Sequence, residues 1–179
     1  YANGTLTVTK ADITVIAHDQ SRTYGAANPT VGNVTLASGS TLYNGDTLST
    51  ATVSSTAVAT SNVGNYTLTA TNQTLNQSAG VGDINNYNVS YLAGNLTVNP
   101  ANLTITANST STQYGLGTNL TAIGYNATGL QNGESVGGVT LTSAGSANTT
   151  SVGSYNITAN SATSAGNFSV NNYNISYAN

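Results

Sequence analysis

Few residues in this chain could do acid-base or coordination chemistry. The 179 residues hold one histidine, His18, and five acids, Asp12, Asp19, Asp46, Asp83 and Glu134, with Lys10 and Arg22 as the only cations and no cysteine. Catalysis by general acid and base needs such groups to converge with a nucleophile. The nearest approach to a constellation is His18, Asp19 and Arg22. When the chain is aligned on its own second half, His18 falls opposite Asn108, Asp19 opposite Ser109 and Arg22 opposite Thr112. Whatever these residues do, the second half manages without them. We therefore read them as structural or solvent-exposed, and a surface ion pair between Arg22 and Asp19 would be worth little. Only Asp46 and Glu134 occupy equivalent places.

Two glycine-rich runs have the composition of ligand loops but not the rest of the pattern. Gly80-Val81-Gly82-Asp83 lacks the repetition and acid count of a calcium-binding glycine repeat and reads as a loop. Gly115-Leu116-Gly117 has no lysine beside it and no helix after it, so it makes no phosphate cradle. The sequence thus predicts no catalytic residue, no cofactor, no metal and no enzyme. The net charge of -3 argues against a nucleic-acid partner, because phosphate neutralisation needs Lys and Arg. No apolar run reaches membrane-spanning length, and no secretory signal is present. Without cysteine there is no disulfide framework, so stability must come from cores of Val, Ile, Leu, Ala and the eleven tyrosines.

The elements that position these residues come in two copies. Asp12-Ile13-Thr14-Val15-Ile16-Ala17 answers Asn102-Leu103-Thr104-Ile105-Thr106-Ala107 at an offset of 90, and Gly4-Thr5-Leu6-Thr7-Val8 answers Gly94-Asn95-Leu96-Thr97-Val98 at the same offset. Asn44-Gly45-Asp46 answers Asn132-Gly133-Glu134 at 88, Val63-Gly64-Asn65-Tyr66 answers Val152-Gly153-Ser154-Tyr155 at 89, and Asn86-Tyr87-Asn88 answers Asn172-Tyr173-Asn174 at 86. The offset drifts only between matched blocks. Loops tolerate such insertions and strands do not, so the blocks are the structured elements.

Inside the blocks apolar and polar residues alternate with period two, as in Leu6 and Val8 against Thr5 and Thr7, or Tyr66, Leu68 and Ala70 against Thr67 and Thr69. This predicts an all-β fold of half-buried strands and no helix of length. After Asn44-Gly45-Asp46 and Asn132-Gly133-Glu134 the pattern fits either a single helical turn capped by the acid or a hairpin-type turn carried by Asn-Gly. Tyr66, Tyr87 and Tyr91, with Tyr155, Tyr173 and Tyr177, recur in alternation and are expected in the core; Tyr43 and Tyr125 have no counterpart and are expected outside.

Module edges fall where the alternation pauses, at Thr9-Lys10-Ala11 and Asn99-Pro100-Ala101, where proline denies the ladder a donor. We place module 1 at residues 11–99 and module 2 at residues 100–179, with residues 1–10 as the closing strand of a preceding module. Module 2 then lacks its own closing strand. The matching residues, Thr5, Leu6, Thr7 and Val8, stand at the front of this chain, and Tyr1-Ala2-Asn3 repeats as Tyr177-Ala178-Asn179. A neighbouring copy could supply the strand head to tail, within one longer polypeptide or between chains.

The order Tyr24-Gly25-Ala26-Ala27-Asn28-Pro29, then Asn-Gly-Asp, Val-Gly-x-Tyr, Asn-Tyr-x-Val-x-Tyr and Gly-x-Leu-Thr-Val, resembles the MBG repeats of the Tyr-Gly-x type. These, with the related YDG repeats, are arrayed in very large secreted bacterial adhesins, including filamentous-haemagglutinin-like exoproteins of two-partner secretion systems. The resemblance covers the chain twice. Module 2 departs from it at Tyr114-Gly115-Leu116-Gly117, where the proline is missing. It implies a mainly β module, with a β-grasp-like arrangement as one form, acting as a stalk or fibre segment outside the cell. It implies no catalytic residues.

Asn-x-Ser/Thr triplets occur fifteen times, among them at Asn65, Asn88, Asn102, Asn156 and Asn174. They are acceptors for N-linked sugar. They also arise wherever Asn and Thr cover one strand face, because residues i and i+2 point the same way. Two classes of function follow. One is a structural tandem module of a stalk, filament or matrix protein, with neighbouring copies as partners and host or matrix glycans met by other parts of the parent protein. The other is a carbohydrate- or glycoprotein-binding module, with tyrosines stacking on sugar rings.

Overall fold

The computed structural model describes residues 2–76 and 83–178. Gly80-Val81-Gly82 of the glycine-rich run lie outside the described residues, as do Tyr1 and Asn179 of the repeated triplets. The chain forms two compact units. Unit 2 takes the chain from Asn99 onward together with Thr23–Gly25 and Ala59–Val63, and the remainder forms unit 1.

Unit 1 carries β1 (Ala11–Ala17), β2 (Gln20–Thr23), β3 (Val31–Leu36), β4 (Thr47–Leu48), β5 (Thr50–Ser54), β6 (Gly64–Thr71), β7 (Leu75–Asn76), β8 (Tyr87–Leu92) and β9 (Gly94–Asn99). Seven of these make one sheet in the order β2-β9-β6-β5-β3-β1-β8, and β4 pairs with β7 apart from it. The period-two alternation explains the strands: Ile13, Val15 and Ala17 of β1 turn inward, as do Ala51 and Val53, Leu68 and Ala70, and Leu96 and Val98. Each fully buried Leu, Ile or Val contributes roughly 1.5–3 kcal/mol of transfer free energy. The closing strand β9 lies between β2 and β6, and its antiparallel register against β6 runs from Gly64↔Val98 through Tyr66↔Leu96 to Leu68↔Gly94.

Unit 2 carries β10 (Ala101–Ala107), β11 (Tyr125–Thr128), β12 (Gly138–Thr142), β13 (Thr158–Thr163) and β14 (Tyr173–Ala178). They form the sheet β11-β10-β14 and the pair β12-β13. The repeat is visible in the ladders. β1 pairs with β8 in parallel from Ala11↔Tyr87, and β10 pairs with β14 in parallel from Ala101↔Tyr173, in the same register over six positions. Ser54 and Thr69 bridge by their hydroxyls at 2.9 Å, as do their counterparts Thr142 and Thr158 at 2.8 Å.

The all-β expectation holds. The described residues contain no α-helix, only single 3-10 turns at Ile84–Asn86, Leu120–Ala122 and Val170–Asn172, and none of these was read from the sequence. Asp83 caps the first, accepting from the Asn85 backbone N–H at 2.9 Å; these bonds hold its carboxyl below the usual carboxylate range. The Asn-Gly sites are turns and not helical. Asn44 and Gly45, like Asn132 and Gly133, have positive φ, and each turn closes with a backbone bond, Asp46 N–H to Tyr43 O and Glu134 N–H to Gln131 O, both at 3.0 Å. No helix among the described residues is long and apolar enough to cross a membrane.

Candidate functional site

His18 and Asp19 sit at the corner between β1 and β2. The His18 backbone N–H donates to Asn33 O at 3.1 Å, and Asp19 Oδ1 accepts from the Asn95 N–H at 2.7 Å. They line a shallow depression with Gln20, Val31, Gly32 and Asn33, and no group of three or more metal-ligating side chains comes together among the described residues. Arg22 takes the structural of its two expected roles. It is 7% exposed, not a surface residue, and its guanidinium donates to Asn28 Oδ1 at 2.7 Å and to Val58 O at 2.6 Å. Asn28 in turn donates to Ala57 O. The reason is topological: β2 ends beside the loops carrying Asn28 and Val58, so the long side chain turns inward and its guanidinium ties the two loops together.

The two recurring acids meet the two recurring tyrosines. In unit 1 the Tyr87 hydroxyl donates to Asp46 Oδ2 at 3.0 Å and accepts from the Tyr43 N–H at 2.9 Å. In unit 2 the Tyr173 hydroxyl donates to Glu134 Oε2 at 2.7 Å and accepts from the Gln131 N–H at 2.9 Å. Burial raises both phenols above the ordinary tyrosine range, and the acid partners act in the same direction. These pairs tie an Asn-Gly turn to the parallel strand.

One difference separates the pairs. In unit 2 the second carboxylate oxygen, Glu134 Oε1, takes the Tyr24 hydroxyl, and the Tyr24 ring packs edge-on against Tyr173 at 5.5 Å and 77°. In the same unit the side chain of buried Asn172 accepts from the Val63 N–H at 3.0 Å and donates to Asn62 at 3.0 Å. In unit 1 the corresponding oxygen, Asp46 Oδ1, is buried with no donor among the described residues. Sequence reasoning missed Tyr24 and Asn172. The signal was there in the shared recurrence of Tyr-Gly, of the acid and of Asn-Asn-Tyr, but not in any spacing that pairs them.

Several tyrosines leave the expected core. Tyr87 and Tyr173 are buried and Tyr66 packs on the unit 1 core, whereas Tyr91, Tyr155 and Tyr177 are exposed. β8 is the edge strand of its sheet, so the ring of Tyr91 runs past the packed layer, and its hydroxyl donates to Gln73. Tyr43 is exposed as expected, and Tyr125 is half-buried.

A groove of about 520 Å³ lies in unit 2. Its lining includes Thr110, Gln113, Tyr114, Gly153, Tyr155 and Ile157. Neither Thr110–Gln113, the counterpart of β2, nor Gly153–Ile157, the counterpart of the first half of β6, is strand. Thr5, Leu6, Thr7 and Val8 are likewise without strand pairing, with Leu6 89% and Val8 87% exposed, whereas their counterparts Leu96 and Val98 are 0% and 1% exposed. Asn65, Asn88, Asn102, Asn156 and Asn174 are all exposed.

Family comparison matches the chain twice to the MBG domain (YGX type), over residues 13–97 and 103–179. The chain belongs to this family and consists of two tandem copies of its domain. No curated protein and no solved structure matches it.

Proposed function

We propose that this chain is a load-bearing segment of a secreted or cell-surface protein, in which MBG modules follow one another to build the stalk or filament of an adhesin or matrix protein. The observation that carries this reading is the duplicated Tyr–carboxylate tie. In Asp46–Tyr87 and Glu134–Tyr173 the only recurring acids serve turn-to-strand links, so the chemistry that the two copies share holds each module together internally. Further copies of the same repeat are its natural neighbours. Single-molecule stretching of the chain tests it: two separate unfolding events are expected, each releasing about 300 Å of chain for a module of this length. Unfolding without a resolvable force peak overturns it.

A second reading is favoured by one observation. Tyr114 and Tyr155 line the unit 2 groove among Ser, Thr and Asn side chains, a surface on which a sugar ring could stack. Their counterparts Tyr24 and Tyr66 are packed into protein, which supports treating both rings as uncovered packing residues. Saturable binding of the chain on a glycan array would favour the sugar-binding module instead. The Asn-x-Ser/Thr triplets we read as strand-face chemistry. Asn102 and Asn174 are direct partners in the β10/β14 ladder, as are Thr104 and Ser176, whose hydroxyls lie 3.1 Å apart.

A further inference from the structure

We infer that two loops of the first MBG copy, one bearing Tyr24-Gly25 and the other Ala59–Val63, are working parts of the second copy's fold, and that unit 2 draws part of its stability from them. This dependence is a property of the fold and does not require the stalk reading above.

Both loops lie inside the first family match, residues 13–97, yet Thr23–Gly25 and Ala59–Val63 belong to unit 2. Tyr24 is 2% exposed but is not among the residues of the unit 1 core, which is built on Ile13, Val15, Val53, Leu68 and Leu96. Its ring serves unit 2 instead. It packs edge-on against Tyr173, which stacks on Phe168 at 5.3 Å, and its hydroxyl donates to Glu134. The Tyr24 backbone N–H donates to Asn99 O at 2.8 Å. Gly25 has φ +85° and lies so close to Gln131 that a Cβ there would meet that side chain at 2.5 Å, so the loop seats only with a glycine after the tyrosine.

The second loop reaches Asn172, which is 1% exposed. The Asn172 side chain accepts from the Val63 N–H at 3.0 Å and donates to Asn62 Oδ1 at 3.0 Å. Without the loop these side-chain partners are lost, and a buried polar group left unpaired costs more than the net worth of the bond it made.

Arg22 sets the two loops as a pair. Its guanidinium holds Asn28 Oδ1 and Val58 O, Asn28 donates to Ala57 O, and the Gly25 N–H donates to Ala59 O at 3.2 Å. The chain on either side of Tyr24-Gly25 is thereby closed onto the residues that lead into Ala59–Val63. Arg22 is a positioning residue for both loops. A tandem pair built this way is directional: the acid-bearing turn and the Asn-Asn-Tyr strand of one copy take the Tyr-Gly loop of the copy before it.

Hydrogen exchange on the full chain tests this, because the substitutions lie in one copy and the effect is expected in the other. Tyr24→Phe and Gly25→Ala are expected to speed amide exchange in β10 and β14 about tenfold or more, and Asn62→Ala about threefold or more, while β1, β5 and β6 stay within about twofold. Tyr24→Phe keeps the packed ring, so the chain still folds. Acceleration confined to β1, β5 and β6, equal in both units, or absent from every strand would overturn the inference. Arg22→Lys is expected to speed exchange in β10 and β14 as well, and unchanged exchange there would remove Arg22 from the arrangement. Tyr24→Phe combined with Glu134→Gln should fall short of the product of the two single effects, whereas a full product would mean that the two groups do not act together. Two stretching events alongside unchanged exchange would leave the stalk reading standing and remove this inference alone.

Discussion

The phenol of Tyr173 donates to Glu134 Oε2 at 2.7 Å while accepting from the Gln131 backbone at 2.9 Å, which joins a strand, an acid and a turn 39 residues away through one oxygen. Tyr173→Phe keeps the ring packed on Phe168 and Tyr24 but strands a carboxylate oxygen and a backbone donor. The expected loss is about 1–3 kcal/mol in urea unfolding. Tyr87→Phe is expected to cost a similar amount through Asp46 and the Tyr43 N–H.

Alkali should unfold the protein through the same phenols. Tyr24, Tyr87 and Tyr173 are all raised above the ordinary tyrosine value near 10, first by burial and then by their acid neighbours. A raised acid binds its proton more tightly folded than unfolded, so its stabilisation is complete below about pH 10 and declines above it. Urea midpoints measured from pH 7 to 11 should be flat up to about pH 9 and fall beyond it. The fall should be shallower in Tyr24→Phe/Tyr173→Phe.

Arg22→Ala should destabilise the chain by about 1.5–3 kcal/mol, because it removes a buried guanidinium and its hydrogen bonds to Asn28 Oδ1 and Val58 O. Arg22→Lys should recover little, since one ammonium cannot span both acceptors in the geometry of a planar guanidinium. Thermal melts of the two variants beside the wild type check this.

Gly94→Ala and Gly4→Ala separate close packing from open space. The first drives a methyl into the Ala17 carbonyl and should cost about 1–3 kcal/mol. The second meets nothing within 4 Å and should leave the stability of the isolated chain within about 0.5 kcal/mol. A matched pair of chemical denaturation curves measures both.

Intact mass of natively secreted material is expected to equal the bare sequence for this segment, 17.9 kDa. Added hexose or N-acetylhexosamine mass on tryptic or chymotryptic peptides bearing Asn65, Asn88, Asn102, Asn156 or Asn174 would show that the exposed triplets are acceptors after all.

By itself the sequence determined the β class, the duplication, the blocks that became strands and the inward faces of β1, β6 and β9. Alternation and repeat offset are local or one-dimensional signals, and the hydrophobic effect reads them directly. It also exposed the two recurring acids and the unclaimed Gly-x-Leu-Thr-Val segment. Tertiary structure decided the partners. Asp46 meets Tyr87, and Glu134 meets both Tyr173 and Tyr24, across separations of 39 to 110 residues, because parallel pairing of β1 with β8 and of β10 with β14 brings the Asn-Asn-Tyr strand to the turn that bears the acid. It turned Arg22 inward and Tyr91, Tyr155 and Tyr177 outward, for a side chain's burial depends on which strand lies beside it and where the sheet ends. No spacing along the chain carries that information.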